Sequence, residues 1–153
     1  MKSLSSLLIT TALVAISSSA SAAVVGLRIT EVMSSSAGAG SPTGDFFEVT
    51  NYGSSAVSMS GWKMDDNSFD ITKAVALSGI TSIGAGESVI FIESVAGAAV
   101  NSFKTFWGGL AGVQVGYYSG SGVSLSSAGD GVVIFDAAAA EVTRVSFLSL
   151  IHI

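Results

Sequence analysis

Residues 25–33 alternate, with Val25, Leu27, Ile29, Glu31 and Met33 on one face and smaller or polar residues on the other. A period of two is that of a strand with one buried face, so the first strand is expected here. Residues 34–44 are Ser, Ala, Gly, Pro and Thr, which offer no face to pack, and predict a flexible loop. A second strand is expected over 45–51, ending in the Asn51-Tyr52-Gly53 turn, and a third over 57–64. Asp65-Asp66-Asn67 breaks the pattern, because these side chains bond nearby backbone in competition with sheet pairing.

Residues 71–80 have a mixed strand pattern, and the Ala85-Gly86-Glu87 turn leads into 88–93, the strongest strand in the chain. Its dense apolar content predicts a central position in a sheet. Val100, Phe103, Phe106 and Trp107 fall at three- and four-residue spacings, which predicts one short helix over 98–107, expected to cap an edge of the fold. Glycine-rich sequence follows, with short strands at 113–117 and 123–125, then 132–135 and an answering strand at 141–147. Short strands joined by Gly, Asn and Asp turns predict an all-β sandwich in one domain, residues 23–147.

Composition narrows the function. Apolar residues make up 49% of the 153 and charged ones 11%, enough to build a core. A net charge of −5 supplies no basic footprint for phosphates, so nucleic acid is not an expected partner. With no cysteine there is no disulfide framework, thiolate metal site or thiol nucleophile. Serines are many, but no Gly-x-Ser-x-Gly elbow occurs. Gly120-Ser121-Gly122 lacks the lysine and following helix of a phosphate cradle.

Met1-Lys2, the apolar and Ser/Thr-rich stretch from Leu4 to Ile16, and Ala20-Ser21-Ala22 have the order of a secretory leader. Residues 1–22 are therefore expected to be removed, leaving a secreted or cell-surface chain from Ala23 with no transmembrane segment in the mature chain as given. The run 148–153, Leu-Ser-Leu-Ile-His-Ile, matches the translation of a transposon end used in sequencing libraries. It is expected to be an artefact, with the natural chain continuing past Phe147; no catalytic role is then given to His152.

Three segments carry a family resemblance: Leu27-Arg28-Ile29-Thr30-Glu31-Val32, then Asp45 through Gly53, then Val57 through Asp66 with Gly61-Trp62 at its centre. Ile83 through Val89, Phe103 through Trp107 and Leu125 through Asp136 continue the same order. Together they resemble the lamin tail domain, over about residues 25–147. The resemblance implies an immunoglobulin-like β-sandwich of the bacterial exported type, serving as a non-catalytic accessory or adhesive module. The leader also resembles those of proteins with a Pro-Glu-Pro carboxy-terminal sorting signal (PEP-CTERM), although that signal does not occur in the sequence.

Candidate sites are few. Asp65, Asp66, Asn67 and Asp70 offer oxygen ligands in one loop, with Asp45 as a further donor, and make Ca²⁺ the one cofactor to consider. The spacing lacks the Asp-x-Asp-x-Asp-Gly pattern with a distal Glu, which favours a solvated turn. Glu31 and Glu48 lie within strands and suit backbone bonding at a sheet end better than acid–base chemistry. Trp62 and Trp107 read as core. Tyr117 and Tyr118 are the candidate contact surface, since neighbours on a strand point to opposite faces and one ring should be exposed. No catalytic residue is assigned. The expected function is an exported interaction module binding a protein or a surface polysaccharide; the alternative is a carbohydrate- or Ca²⁺-dependent adhesion module.

Overall fold

A computed structural model describes residues 26–35 and 37–148. The leader, 1–22, and all of the closing run except Leu148 lie outside the described residues. Ten strands and one helix follow in order: β1 Leu27–Met33, β2 Phe46–Asn51, β3 Val57–Ser58, β4 Lys63–Asp65, β5 Val75–Ala76, β6 Ser82–Ile83, β7 Ser88–Glu93, α1 Ala98–Trp107, β8 Val115–Tyr118, β9 Gly129–Phe135 and β10 Glu141–Leu148.

Two four-stranded sheets form the sandwich, one in the order β1-β2-β7-β8 and the other β10-β9-β4-β5, with β3 and β6 paired separately. All pairs are antiparallel except β7 with β8. As its composition predicts, β7 is an inner strand, between β2 and β8. Phe47, Val49, Val89 and Phe91 point between the sheets and meet Trp62, Met64, Val132 and Ile134 from the other side. The Phe47 and Phe91 rings stack with centroids 5.5 Å apart, and Tyr118 lies 5.5 Å from Phe47. Burying each such ring contributes about 1.5–3 kcal/mol relative to leaving it exposed.

The alternate residues Phe46, Ile90, Ile92 and Val115 turn outward and are buried under Phe103 of α1. The helix therefore has the predicted span but lies over the outer face of the first sheet, where an edge cap was expected. This second covering explains why β7 is apolar on both faces and why β2 opens with an outward Phe46.

Four further expectations are corrected. Thr30 is a β-bulge, the register slipping between Ile29 and Glu31. The face therefore changes after it: Leu27, Ile29 and Val32 contact the core while Glu31 is exposed, because one extra residue reverses every later side chain. The single strand expected over 57–64 is split into β3 and β4, which belong to different sheets. Met59 and Trp62 both point inward three residues apart, which no straight strand permits; Trp62 N–H bonds Met59 C=O at 3.2 Å and Gly61 takes φ 78°. Of residues 71–80 only Val75–Ala76 is strand, and 123–125 are not strand but follow a turn at 121–123, with the Val123 and Leu125 side chains entering the core.

Candidate functional site

The Asp65 loop is organised by its own backbone. Asp65 is buried, and its Oδ2 accepts Ser68 Oγ–H at 2.6 Å and Asp70 N–H at 2.7 Å. Asp66 Oδ1 accepts Ser68 N–H, and Asp70 Oδ1 accepts both N–H and Oγ–H of Thr72. Those two Thr72 bonds hold the Asp70 carboxyl below the usual carboxylate range. Asn67 contributes its backbone N–H, which bonds Asp130 Oδ1 at 3.1 Å. The four residues thus form a bonded turn, as Asp and Asn favour. Among the described residues no three His, Cys, Asp or Glu side chains converge as a metal would need.

The tyrosine pair does not form the expected surface. Tyr118 is fully buried on the inner side of β8, against Phe47. Tyr117 points the other way, as strand geometry requires, but there it packs against the cluster under α1 and is half-buried. Its ring lies 3.3 Å from where a Cβ on Gly97 would stand. Trp62 is core. Trp107 is 43% exposed and Phe106 57%; the Trp107 Nε1–H bonds Pro42 C=O at 2.8 Å and fastens the 34–44 loop to the helix.

A polar centre that the pattern of the chain did not suggest lies at one end of the sandwich. Asp45, just before β2, is 3% exposed, and its two oxygens accept Ser35 N–H at 2.5 Å and Leu125 N–H at 3.0 Å. Asp130 is also buried and accepts Ser126 N–H, Asn67 N–H and its neighbour Gly131 N–H. Glu93, at the end of β7, lies against Gly120, where an added Cβ would fall 1.6 Å from Oε1. Burial raises the Asp45 carboxyl above its ordinary range, despite the two backbone bonds, and Asp130's charge adds to the rise. Burial and then the Asp45 charge raise Glu93. Tyr118 is pushed well up, first by burial and then by Asp45, Glu93 and Asp130. The carboxylates here bind loops: Ser35, Leu125 and Ser126 are held by them. Only Asp45 preceding a Phe-Phe strand hinted at this, since a helix or loop amide must be near to justify a buried Asp.

A groove of about 220 Å³ lies between β1 and β10, lined by Ile29, Thr30, Glu31, Val32, Val145 and Phe147. On the adjoining face Thr30 Oγ1–H bonds Glu48 Oε1 at 2.6 Å, and Glu48 stands directly across from Glu31.

Two packed sheets with one short helix, and buried carboxylates bound to loop amides, define an immunoglobulin-like module. The family model of the Lamin Tail Domain matches residues 20–149, and the chain belongs to that family, one of non-enzymatic modules. A search of the curated proteins gives no match. Among the described residues no helix is long and apolar enough to cross a membrane.

Proposed function

We propose that this chain is an exported, non-catalytic interaction module that binds a protein or polysaccharide partner at the cell surface or outside the cell. The observation that carries the reading is the use of Asp45, Asp65 and Asp130. Each is buried, and each holds backbone N–H groups of neighbouring loops in place of an open reaction centre. A general acid or base has to reach a substrate proton, whereas these groups are turned inward. Membership of a non-enzymatic family supports the same reading. Export is supported by the leader-like order of residues 1–22.

The test is binding of the labelled purified protein to intact cells of the source organism and to their separated envelope protein and polysaccharide fractions. Saturable binding to one fraction is expected, as is an exported form beginning at Ala23 by amino-terminal sequencing. Turnover of model esters, phosphodiesters or glycosides, or no binding to any fraction, would overturn the reading.

A further inference from the structure

We infer that the groove between β1 and β10 receives an extended peptide segment of a partner protein, which pairs with the outer edge of β10 and carries a lysine or arginine beside Glu31. This rests on, and sharpens, the reading of the chain as an interaction module.

Among the described residues the core is incompletely covered along the seam between β1 and β10. Seven half-buried apolar residues pack against the main core, and five of them, Ile29, Val32, Val142, Val145 and Phe147, belong to β1 or β10. These are the outer strands of their sheets on the same side of the sandwich, and among the described residues neither has a second strand neighbour. On the opposite side the outer edge of β8 is engaged, where Ser78 and Tyr117 exchange two backbone bonds of 2.9 Å. A sheet edge beside half-buried apolar side chains is the arrangement that strand addition uses: backbone bonds give affinity and pockets for alternate side chains give selectivity.

The two edges are not equivalent. The Thr30 bulge interrupts β1, whereas β10 keeps an unbroken register from Thr143 to Leu148. A strand needs a regular ladder, so β10 is the pairing edge and β1 the far wall of the groove. At 220 Å³ the groove is smaller than the roughly 300–1,000 Å³ of small-molecule sites, and suits alternate side chains of a strand.

Charge selects the partner. Glu31 lines the groove and faces Glu48 across the strands, a like-charge pair that is unfavourable without a cation nearby. The one ion pair among the described residues joins Glu141 and Arg144 within β10 and does not involve Glu31. A second copy would bring the same net charge of −5 and the same Glu31 to this edge, so a basic peptide is the better complement.

The probe is a nonapeptide in which valine alternates with lysine and threonine, titrated into the isotope-labelled full chain by NMR. Shifts and slowed hydrogen exchange are expected at alternate amides of 143–148, with shifts at Ile29 and Val32. Glu31→Lys, at an exposed position that leaves the fold intact, should weaken the lysine peptide about two- to five-fold and strengthen a version with glutamate in place of lysine by a similar factor. Shifts confined to other surfaces, no response to either peptide, or self-association through β10 in sedimentation would each overturn the inference. Envelope binding with β10 silent to the peptide defeats this inference alone; peptide addition at β10 without envelope binding defeats only the functional reading.

Discussion

The carboxylate of Asp45 accepts the backbone N–H of Leu125 at 3.0 Å, linking positions 80 residues apart, while its other oxygen accepts Ser35 N–H. One side chain thus anchors the loops that enter β2 and β9 at the same end of the sandwich. Asp45→Ala removes both charge-assisted bonds and leaves two amides without their acceptor. A loss of roughly 2–4 kcal/mol is expected in urea unfolding, with faster hydrogen exchange at Ser35 and Leu125. Unchanged exchange at both amides would show that the loops hold themselves.

Glu93 lies close enough to Asp45 for that charge, after burial, to raise its carboxyl, and Asp45 is raised as well. A carboxyl raised in the folded state holds its proton more tightly there than in the unfolded chain. Its stabilisation is complete below the unfolded value and is lost as pH rises through the folded one. Glu93→Gln, which cannot ionise, should therefore melt higher than the parent at pH 8 and at nearly the same temperature at pH 4. The solvent-facing carboxyls of Asp70, Glu87 and Glu141 are lowered by hydrogen bonds and act in the opposite sense, but they are common to both proteins. An equal difference at both pH values would separate Glu93 from the effect.

Asn51 closes β2 with its amide turned inward. Nδ2 donates to the carbonyls of Ser55, Ile83 and Gly84 at 2.9–3.1 Å, and Oδ1 accepts Gly53 N–H. Asn51→Ala should cost about 2–4 kcal/mol by leaving these groups unpaired. Asn51→Asp would set a carboxylate against three carbonyl oxygens. Its penalty should exceed that of Ala at pH 7 and shrink in acid, as the introduced carboxyl takes up a proton; thermal melts at the two pH values measure this.

Gly116 lets β8 approach both its neighbours. A Cβ there would lie 2.5 Å from Ser78 C=O and 2.7 Å from Cε1 of Phe91, one a backbone atom and the other a core ring. Neither can move without opening the β8 edge or the core. Gly116→Ala is expected to destabilise by about 1–3 kcal/mol, while Ala at the unobstructed Gly38 should have little effect in the same denaturant assay.

Tyr118 is fully buried, and its hydroxyl meets no protein acceptor. The ring therefore accounts for its contribution. Tyr118→Phe should change stability by less than about 1 kcal/mol, whereas Tyr118→Ala should cost about 3–5 kcal/mol. A large loss in the Phe variant would place the hydroxyl in a bonded network.

The alternation of residues along the chain located β1, β2, β7, β9 and β10 to within a few positions, and the three- and four-residue spacing of Val100, Phe103, Phe106 and Trp107 located α1. Those features are local: backbone geometry makes strand faces repeat every two residues and helix faces every three or four, whatever lies beyond. The segment around Gly61 has the pattern of one continuous strand because Trp62 and Met64 alternate correctly by themselves. The turn that divides β3 from β4 follows from Met59 and Trp62 entering the same core.

Taken by itself, the sequence determined an all-β chain with one short helix, a strongly apolar inner strand and a loop of aspartates that bond their own backbone. Which face each strand buries after a bulge, which ring of Tyr117 and Tyr118 lies between the sheets, and where α1 lies were decided by the tertiary structure. So were the partners of Asp45 and the opening between β1 and β10. Local patterns are set by torsions and side-chain direction within a few residues. A buried carboxylate or an uncovered edge depends on which distant loops and strands converge on it, and no periodicity along the chain records that.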